Sequence, residues 1–241
     1  MNSISRSSSR DHPSLPGEVA IPLAALKGRG AASRLAHRFQ VEDRQAFDDG
    51  WSTLEDGQAL AGEAPPPATE LTWELARSAL SFNESPDLFF DRALNPYRGC
   101  EHGCIYCYAR PTHSYLNLSP GLDFETKLVA KGNIAQVLRQ ELGRRGYRPG
   151  VIALGSATDA YQPVERELRL TREVLEVLSE ASHPLVLVTK SSGVERDIDL
   201  LAPMARRGLA SVFITLTTLD ADLARRLEPR AAAPMPPPRF D

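Results

Sequence analysis

From about residue 90 onward the chain alternates short, continuously apolar runs with longer stretches of helical periodicity. Val151-Ile-Ala-Leu-Gly155 and Leu185-Val-Leu-Val-Thr189 have no polar alternation, which predicts strands buried on both faces. Ser211–Leu216 predicts a further strand, and Arg92–Tyr97 a shorter one. Between them, Ile134, Val137, Leu138, Glu141 and Leu142 follow helical spacing. A helix starting near Pro163 places Val164, Leu168, Leu175 and Leu178 on its core face, flanked by Val174 and Val177. Its Glu165, Glu167, Arg169 and Arg172 read as an exposed charged face. A third helix carries Ile198, Leu201 and Met204 and stops around Gly208; a last one starts near Asp220 and ends at Pro229.

Strand starts near 92, 151, 185 and 211 with helices between them imply an α/β fold of parallel strands. This is an open α/β sheet or part of a β/α barrel, and both gather their reactive groups at the C-terminal ends of the strands. The residues there are polar: Ser156, Thr158 and Asp159 after one strand, Lys190, Ser191 and Ser192 after the next, Thr215, Thr217 and Thr218 at the last. Residues 1–70, with a Ser/Arg/Pro-rich start and a Pro65-Pro66-Pro67 end, read as a flexible or irregular extension. Thr69 to Leu80 predicts a short strand or helix leading into a core over 71–230, and 231–241 forms a Pro-rich tail.

Net charge is −3 and uneven: residues 51–90 carry one basic and seven acidic side chains, whereas 91–241 carry twenty and eighteen. No basic face of the kind that marks a nucleic-acid binder emerges, although a local groove can be basic within a neutral domain. No apolar run is long enough to span a membrane, and Met1–Arg10 has no apolar secretory region, so the expected location is cytoplasmic.

All three cysteines lie in Gly99-Cys100-Glu101-His102-Gly103-Cys104-Ile105-Tyr106-Cys107-Tyr108, spaced C-x3-C-x2-C, directly after the first predicted strand. An odd, tightly spaced set argues against a disulfide framework. Three thiolates can hold three corners of a four-iron cluster and leave the fourth iron open. The competing reading is a non-catalytic module with a Cys3His zinc site, completed by His102 or His113.

The motif Cys100-x3-Cys104-x-Tyr106-Cys107 resembles the cluster motif of the radical S-adenosylmethionine (radical SAM) superfamily. Asn95-Pro-Tyr-Arg-Gly-Cys-Glu-His-Gly-Cys-Ile-Tyr-Cys-Tyr-Ala-Arg-Pro-Thr-His113 is similar, more narrowly, to the DNA repair photolyase group, relatives of spore photoproduct lyase. The pattern continues through Gly121–Lys127, Thr158-Asp159, Tyr161–Pro163, Thr189-Lys190 and Thr217–Asp220, over about residues 70–230. The resemblance implies a partial β/α barrel whose Cys100, Cys104 and Cys107 ligate a [4Fe-4S] cluster. S-adenosylmethionine would chelate the open iron and be cleaved reductively to methionine and a 5′-deoxyadenosyl radical. It implies a lyase-like enzyme acting in nucleic-acid repair or modification, with a flavodoxin- or ferredoxin-type electron donor.

By position, the resemblance assigns Tyr106 to the side of the cluster and the adenine. Ser156, Thr158 and Asp159 would face the cofactor's amino group, Lys190 its carboxylate or a substrate anion, and Thr215 and Thr217 its ribose. Each also has a plain reading, as a half-buried aromatic, a solvated strand end, a snorkelling lysine or a β-branched strand residue. His102 and His113 read as loop hydrogen-bonders, and Arg98 and Arg110 as solvated or phosphate-contacting. The superfamily core has about six β/α units, against four strands here before Pro236-Pro237-Pro238, so the expectation is a truncated partial barrel, with an inactive fragment of a radical SAM enzyme as one alternative reading. Spore photoproduct lyases use a further cysteine in handling the product radical, and this chain has none beyond its three.

Overall fold

The computed structural model describes residues 19–20, 29–31, 33–37 and 68–232. Most of the expected N-terminal extension and the tail from 233 lie outside the described residues. Ten strands are described: β1 (Val19–Ala20), β2 (Ser33–Arg34), β3 (Glu70–Glu74), β4 (Ser81–Phe82), β5 (Arg92–Leu94), β6 (Tyr97–Arg98), β7 (Lys127–Lys131), β8 (Ile152–Leu154), β9 (Leu185–Thr189) and β10 (Ala210–Ile214). The α-helices are α1 (Asp123–Thr126), α2 (Ile134–Leu142), α3 (Glu165–Leu168), α4 (Leu170–Glu180), α5 (Ile198–Arg206) and α6 (Ala221–Leu227).

The fold is mixed α/β. Its main sheet has the order β10-β9-β8-β5-β4, and the first four of these are mutually parallel. These are the four strands that the apolar runs predict, and each lies beside its neighbour in sequence. Ile152, Leu154 and Leu187 are fully buried, as a strand covered on both faces requires. Helices α2 and α4 bury Ile134, Leu138, Val174, Leu175 and Leu178 in one core with them.

Four features depart from the expected pattern. The predicted strand Arg92–Tyr97 divides: after Leu94 the chain leaves the main sheet, and Tyr97–Arg98 pairs antiparallel with β7. Pro96 lacks an N–H and cannot continue the ladder. Strands β3, β7 and β6 then form a second sheet that the alternation did not reveal, with β3 and β7 parallel, while β4 adds an antiparallel edge to the main sheet.

The helix expected from Pro163 is also two helices, because Arg169 adopts a left-handed φ of 55° between α3 and α4. Glu165 is no part of an exposed face. It is 1% exposed, accepts hydrogen bonds from Tyr97 Oη and the Thr171 N–H, and pairs with Arg196 at 2.7 Å. Capping the start of α4 in this way is what places the carboxylate inside. Arg172 of the same expected face bridges Asp197, Asp199 and Glu176.

Finally, Ile198 is 63% exposed, and α5 faces the core through buried Leu201 and Met204, with Leu200 packed partly against it. Among the described residues no helix is long and apolar enough to cross a membrane.

Candidate functional site

The cysteine loop leaves β6 through Gly99 and turns again at Gly103, with φ of 79° and 68°. A Cβ on Gly99 would lie 2.8 Å from the Phe124 carbonyl, so the close approach as well as the turn requires glycine there. The loop is tied down by buried polar side chains. Gln162 accepts from the Glu101 N–H at 2.9 Å and donates to the Gly99 carbonyl. Glu101 accepts from Thr69 Oγ1 at 2.6 Å and the Val164 N–H at 2.9 Å. Arg110 donates to the Cys104 carbonyl at 2.8 Å and pairs with buried Glu125, so it is neither solvated nor placed for phosphate. Arg98 pairs with Glu74 at the surface.

Cys100, Cys104 and Cys107 line one cavity of about 290 Å³, together with His102, Tyr106, Tyr108, Ser156, Thr158, Asp159, Lys190 and Thr215. The expected residues thus converge on one space, except Thr217. That residue lines an adjoining cavity of about 600 Å³, which shares Lys190 and Thr215 and is walled by apolar side chains of α5 and β10. The convergence follows from topology: the ends of β8, β9 and β10 lie side by side, and the loop after β6 crosses their rim.

Several side chains at the rim have definite work. Asn95 donates to Ser156 Oγ at 3.2 Å and accepts from the Ala157 N–H at 2.9 Å, shaping the turn after β8. Gly155 holds a φ of 83°, and a Cβ there would meet the Val188 carbonyl at 2.3 Å. Asp159 accepts from Thr189 Oγ1 at 2.7 Å, the Lys190 N–H at 2.8 Å and the Tyr161 N–H at 2.8 Å. Its carboxylate therefore ties the β8 turn to the end of β9. Burial alone would raise the Asp159 carboxyl, but His102, Thr189 and the Lys190 N–H outweigh it and hold it below its ordinary value.

The His102 Nδ1 lies 3.3 Å from Asp159 Oδ2, which sets the imidazole against the carboxylate at the cavity wall. His113 is elsewhere: its Nε2 meets the Lys127 carbonyl at 2.9 Å and its ring packs edge-on to Phe124.

Glu228, which the sequence reading missed, is the hub of the far rim. It is 7% exposed, pairs with Lys190 Nζ at 2.9 Å, and accepts hydrogen bonds from Tyr106 Oη and Thr217 Oγ1. Lys190 also lies 5.4 Å from the Tyr106 ring centroid. Burial would lower the Lys190 ammonium, but Tyr106 and Glu228 hold it above its ordinary value. The only signal in the sequence is weak: Glu228 follows the last turn of α6, where the helix dipole mildly disfavours an anion.

The donor set fits a metal cluster with a bound cofactor. Burial, and then the nearby Asp159, push the Cys100 thiol up; burial and Glu228 push Cys104 up to about 12. Thiols so placed become thiolates only against a strong local positive charge, which bound iron supplies. Thr158 Oγ1 is buried at the cavity with no hydrogen-bond partner, as a polar atom awaiting a ligand would be. Among the described residues, no three His, Cys, Asp or Glu side chains group closely enough to hold one metal ion. A four-iron cluster makes another demand, since each thiolate binds its own iron.

The domain model of the radical SAM superfamily matches residues 94–234, more than half of the chain. The chain belongs to the radical SAM superfamily. Superfamily members typically use a [4Fe-4S] cluster and S-adenosylmethionine, and membership suggests an enzyme. The matched region starts in β5 and contains every residue of both cavities. Relatives include the uncharacterized protein Rv2578c of Mycobacterium tuberculosis (strain H37Rv), 41% identical over 163 residues, which are 66% of this chain and 47% of that protein. The uncharacterized protein MJ0683 of Methanocaldococcus jannaschii is 29% identical over 56% of this chain and 48% of its own length. The uncharacterized protein ORF301 of Acidianus two-tailed virus is 27% identical over 61% and 48%. The chain thus spans about half the length of the curated relatives it matches. No solved structure matches it.

Proposed function

We propose that this chain is a radical SAM iron–sulfur protein that binds a [4Fe-4S] cluster and S-adenosylmethionine for reductive cleavage of the latter. The observation that carries this is the convergence of three cysteines with polar groups from three strand ends on one cavity, within the matched domain. Cys100, Cys104 and Cys107 would hold the cluster. When bound, the cluster supplies one electron and an open iron at which the cosubstrate's amino and carboxylate groups are chelated.

The protein's own residues bind, orient and shield. Tyr106 is held against Lys190 by Glu228, which keeps one ammonium at the rim for a carboxylate. Ser156 and Thr158 present hydroxyls from the β8 turn, Thr215 from the end of β10, and Thr217 from the adjoining cavity. Asp159 acts by fixing the turn, because its oxygens are already engaged within the protein.

The cysteine-loop resemblance makes nucleic-acid repair or modification the substrate class to test first, by lyase-like chemistry with a flavodoxin- or ferredoxin-type donor in the cytoplasm. The zinc reading draws no support from His113, which is held away from the cavity.

The deciding experiment is anaerobic reconstitution with iron and sulfide, followed by S-adenosylmethionine and a strong reductant. Four irons and four sulfides per chain, with 5′-deoxyadenosine released, are expected of the wild type. Any single Cys→Ala variant should lose the intact cluster. Stoichiometric zinc without sulfide, or a full cluster in a Cys→Ala variant, would overturn the assignment.

A further inference from the structure

Along the cysteine loop, alternate residues face two different surroundings. Cys100, His102, Cys104 and Tyr106 line the cavity. Glu101, Gly103 and Ile105 meet segments remote in sequence. Ile105 N–H donates to the Leu227 carbonyl at 3.0 Å, and Glu101 pairs with Arg230 at 3.1 Å. The middle residue, Gly103, is covered by the N-terminal segment around Gly30. A Cβ on Gly30 would stand 1.7 Å from the Gly103 carbonyl oxygen and 3.2 Å from Ile105 Cγ2, so two backbones are in direct contact there.

Fully buried Glu125 joins the layers. It accepts from the Gly30 N–H at 2.9 Å and from Arg110 at 2.5 Å, and its main-chain carbonyl accepts from Arg29 at 2.7 Å. Arg110 in turn holds the Cys104 carbonyl. Beyond it, the Ser33 carbonyl accepts from the Leu122 N–H at 2.9 Å, Leu35 N–H donates to Ser119 Oγ at 2.6 Å, and Arg34 pairs with Asp123 at 3.1 Å.

We propose that the Arg29–Gly30 segment is a positioning strap for the cysteine loop, closing its back and, through Glu125 and Arg110, fixing Cys104 for metal uptake. The strap places a region remote from the motif inside the metal-binding machinery. The metal-uptake part rests on the iron–sulfur reading above; the loop-fixing part does not.

The test compares full-length wild type with Gly30→Ala and Gly30→Val, whose added carbons must push the strap off Gly103. In metal-free protein, hydrogen exchange over 99–108 is expected to rise by about tenfold or more in Gly30→Val, with Gly30→Ala intermediate, while β8 and β9 keep their protection. After anaerobic reconstitution and desalting, the variants should retain less than half of the wild-type iron and visible iron–sulfur absorption, at unchanged melting temperature of the core.

Wild-type loop exchange in both variants would overturn the strap. So would loss of protection in β8 and β9 in step with the loop, because the segment would then be an ordinary part of the fold. A wild type that takes up no iron would sink the iron–sulfur reading instead, and loop exchange alone would still decide the strap.

Discussion

A carboxylate at the C-terminal end of a helix faces the negative end of the dipole, and Glu228 accepts that position because Lys190, Tyr106 and Thr217 converge on it. Glu228→Gln should cost about 1–3 kcal/mol of stability in urea melts, the worth of a hydrogen-bonded charge. Lys190→Ala should cost a similar amount, and the double variant less than the sum, since both remove one ion pair. Full additivity would mean that the two side chains are not coupled. Gly155 makes a separate demand. Its left-handed backbone and the 2.3 Å approach of a Cβ to the Val188 carbonyl predict that Gly155→Ala loses about 1–3 kcal/mol, again by urea melt. The same substitution should displace the β8 turn that carries Ser156 and Thr158; on the function proposed above, this weakens S-adenosylmethionine binding in equilibrium dialysis.

Helix α5 is docked at its start by a buried carboxylate. Asp197 accepts from Tyr161 Oη at 2.8 Å and pairs with Arg196 at 2.8 Å and Arg172 at 3.1 Å. Burial alone would raise its carboxyl, but these partners hold it below the ordinary value. A carboxyl lowered by folding stabilises fully above its unfolded value of about 3.9, and that contribution is lost as pH falls through the lower folded value. Wild-type stability should therefore drop on the acid side of about pH 4, and Asp197→Asn should flatten this part of the profile. At neutral pH the variant should cost about 3 kcal/mol, because two arginines lose their anion. Thermal melts from pH 3 to 7 would check both, the range being set by roughly the carboxylate titration. At this scale the pattern of apolar positions was informative. It located α2, β8, β9 and β10 within a residue or two, since side-chain periodicity is a local property. The break at Arg169 was illegible, because the Glu165 carboxylate that caps α4 at the Thr171 N–H is held inside by Tyr97 of β6 and by Arg196, both remote in sequence.

At the scale of the molecule, β10 lies at the edge of the main sheet as described, with Val212, Phe213, Ile214 and Leu216 exposed. Exposed apolar edges recruit further strands. Phe213→Lys should therefore shift this chain toward monomer in size-exclusion chromatography with light scattering, without altering the far-ultraviolet spectrum; an unchanged size distribution would show that the edge does not self-associate.

The sequence by itself determined the four parallel strands, the helical character of the segments between them and the residue types at the strand ends, because each depends on spacing along a few residues. It also determined that three thiols share one loop. Only the tertiary structure decided which of those polar residues have side chains already engaged within the protein. Asp159 spends its oxygens on the β8–β9 junction, while Thr158 leaves a buried hydroxyl unpaired. The second sheet, the Glu228 hub and the strap at Gly30 were likewise decided in three dimensions. Each depends on contacts between segments far apart in the sequence, by strand pairing in the second sheet and by polar side chains in the other two, and no period in the chain records such a contact.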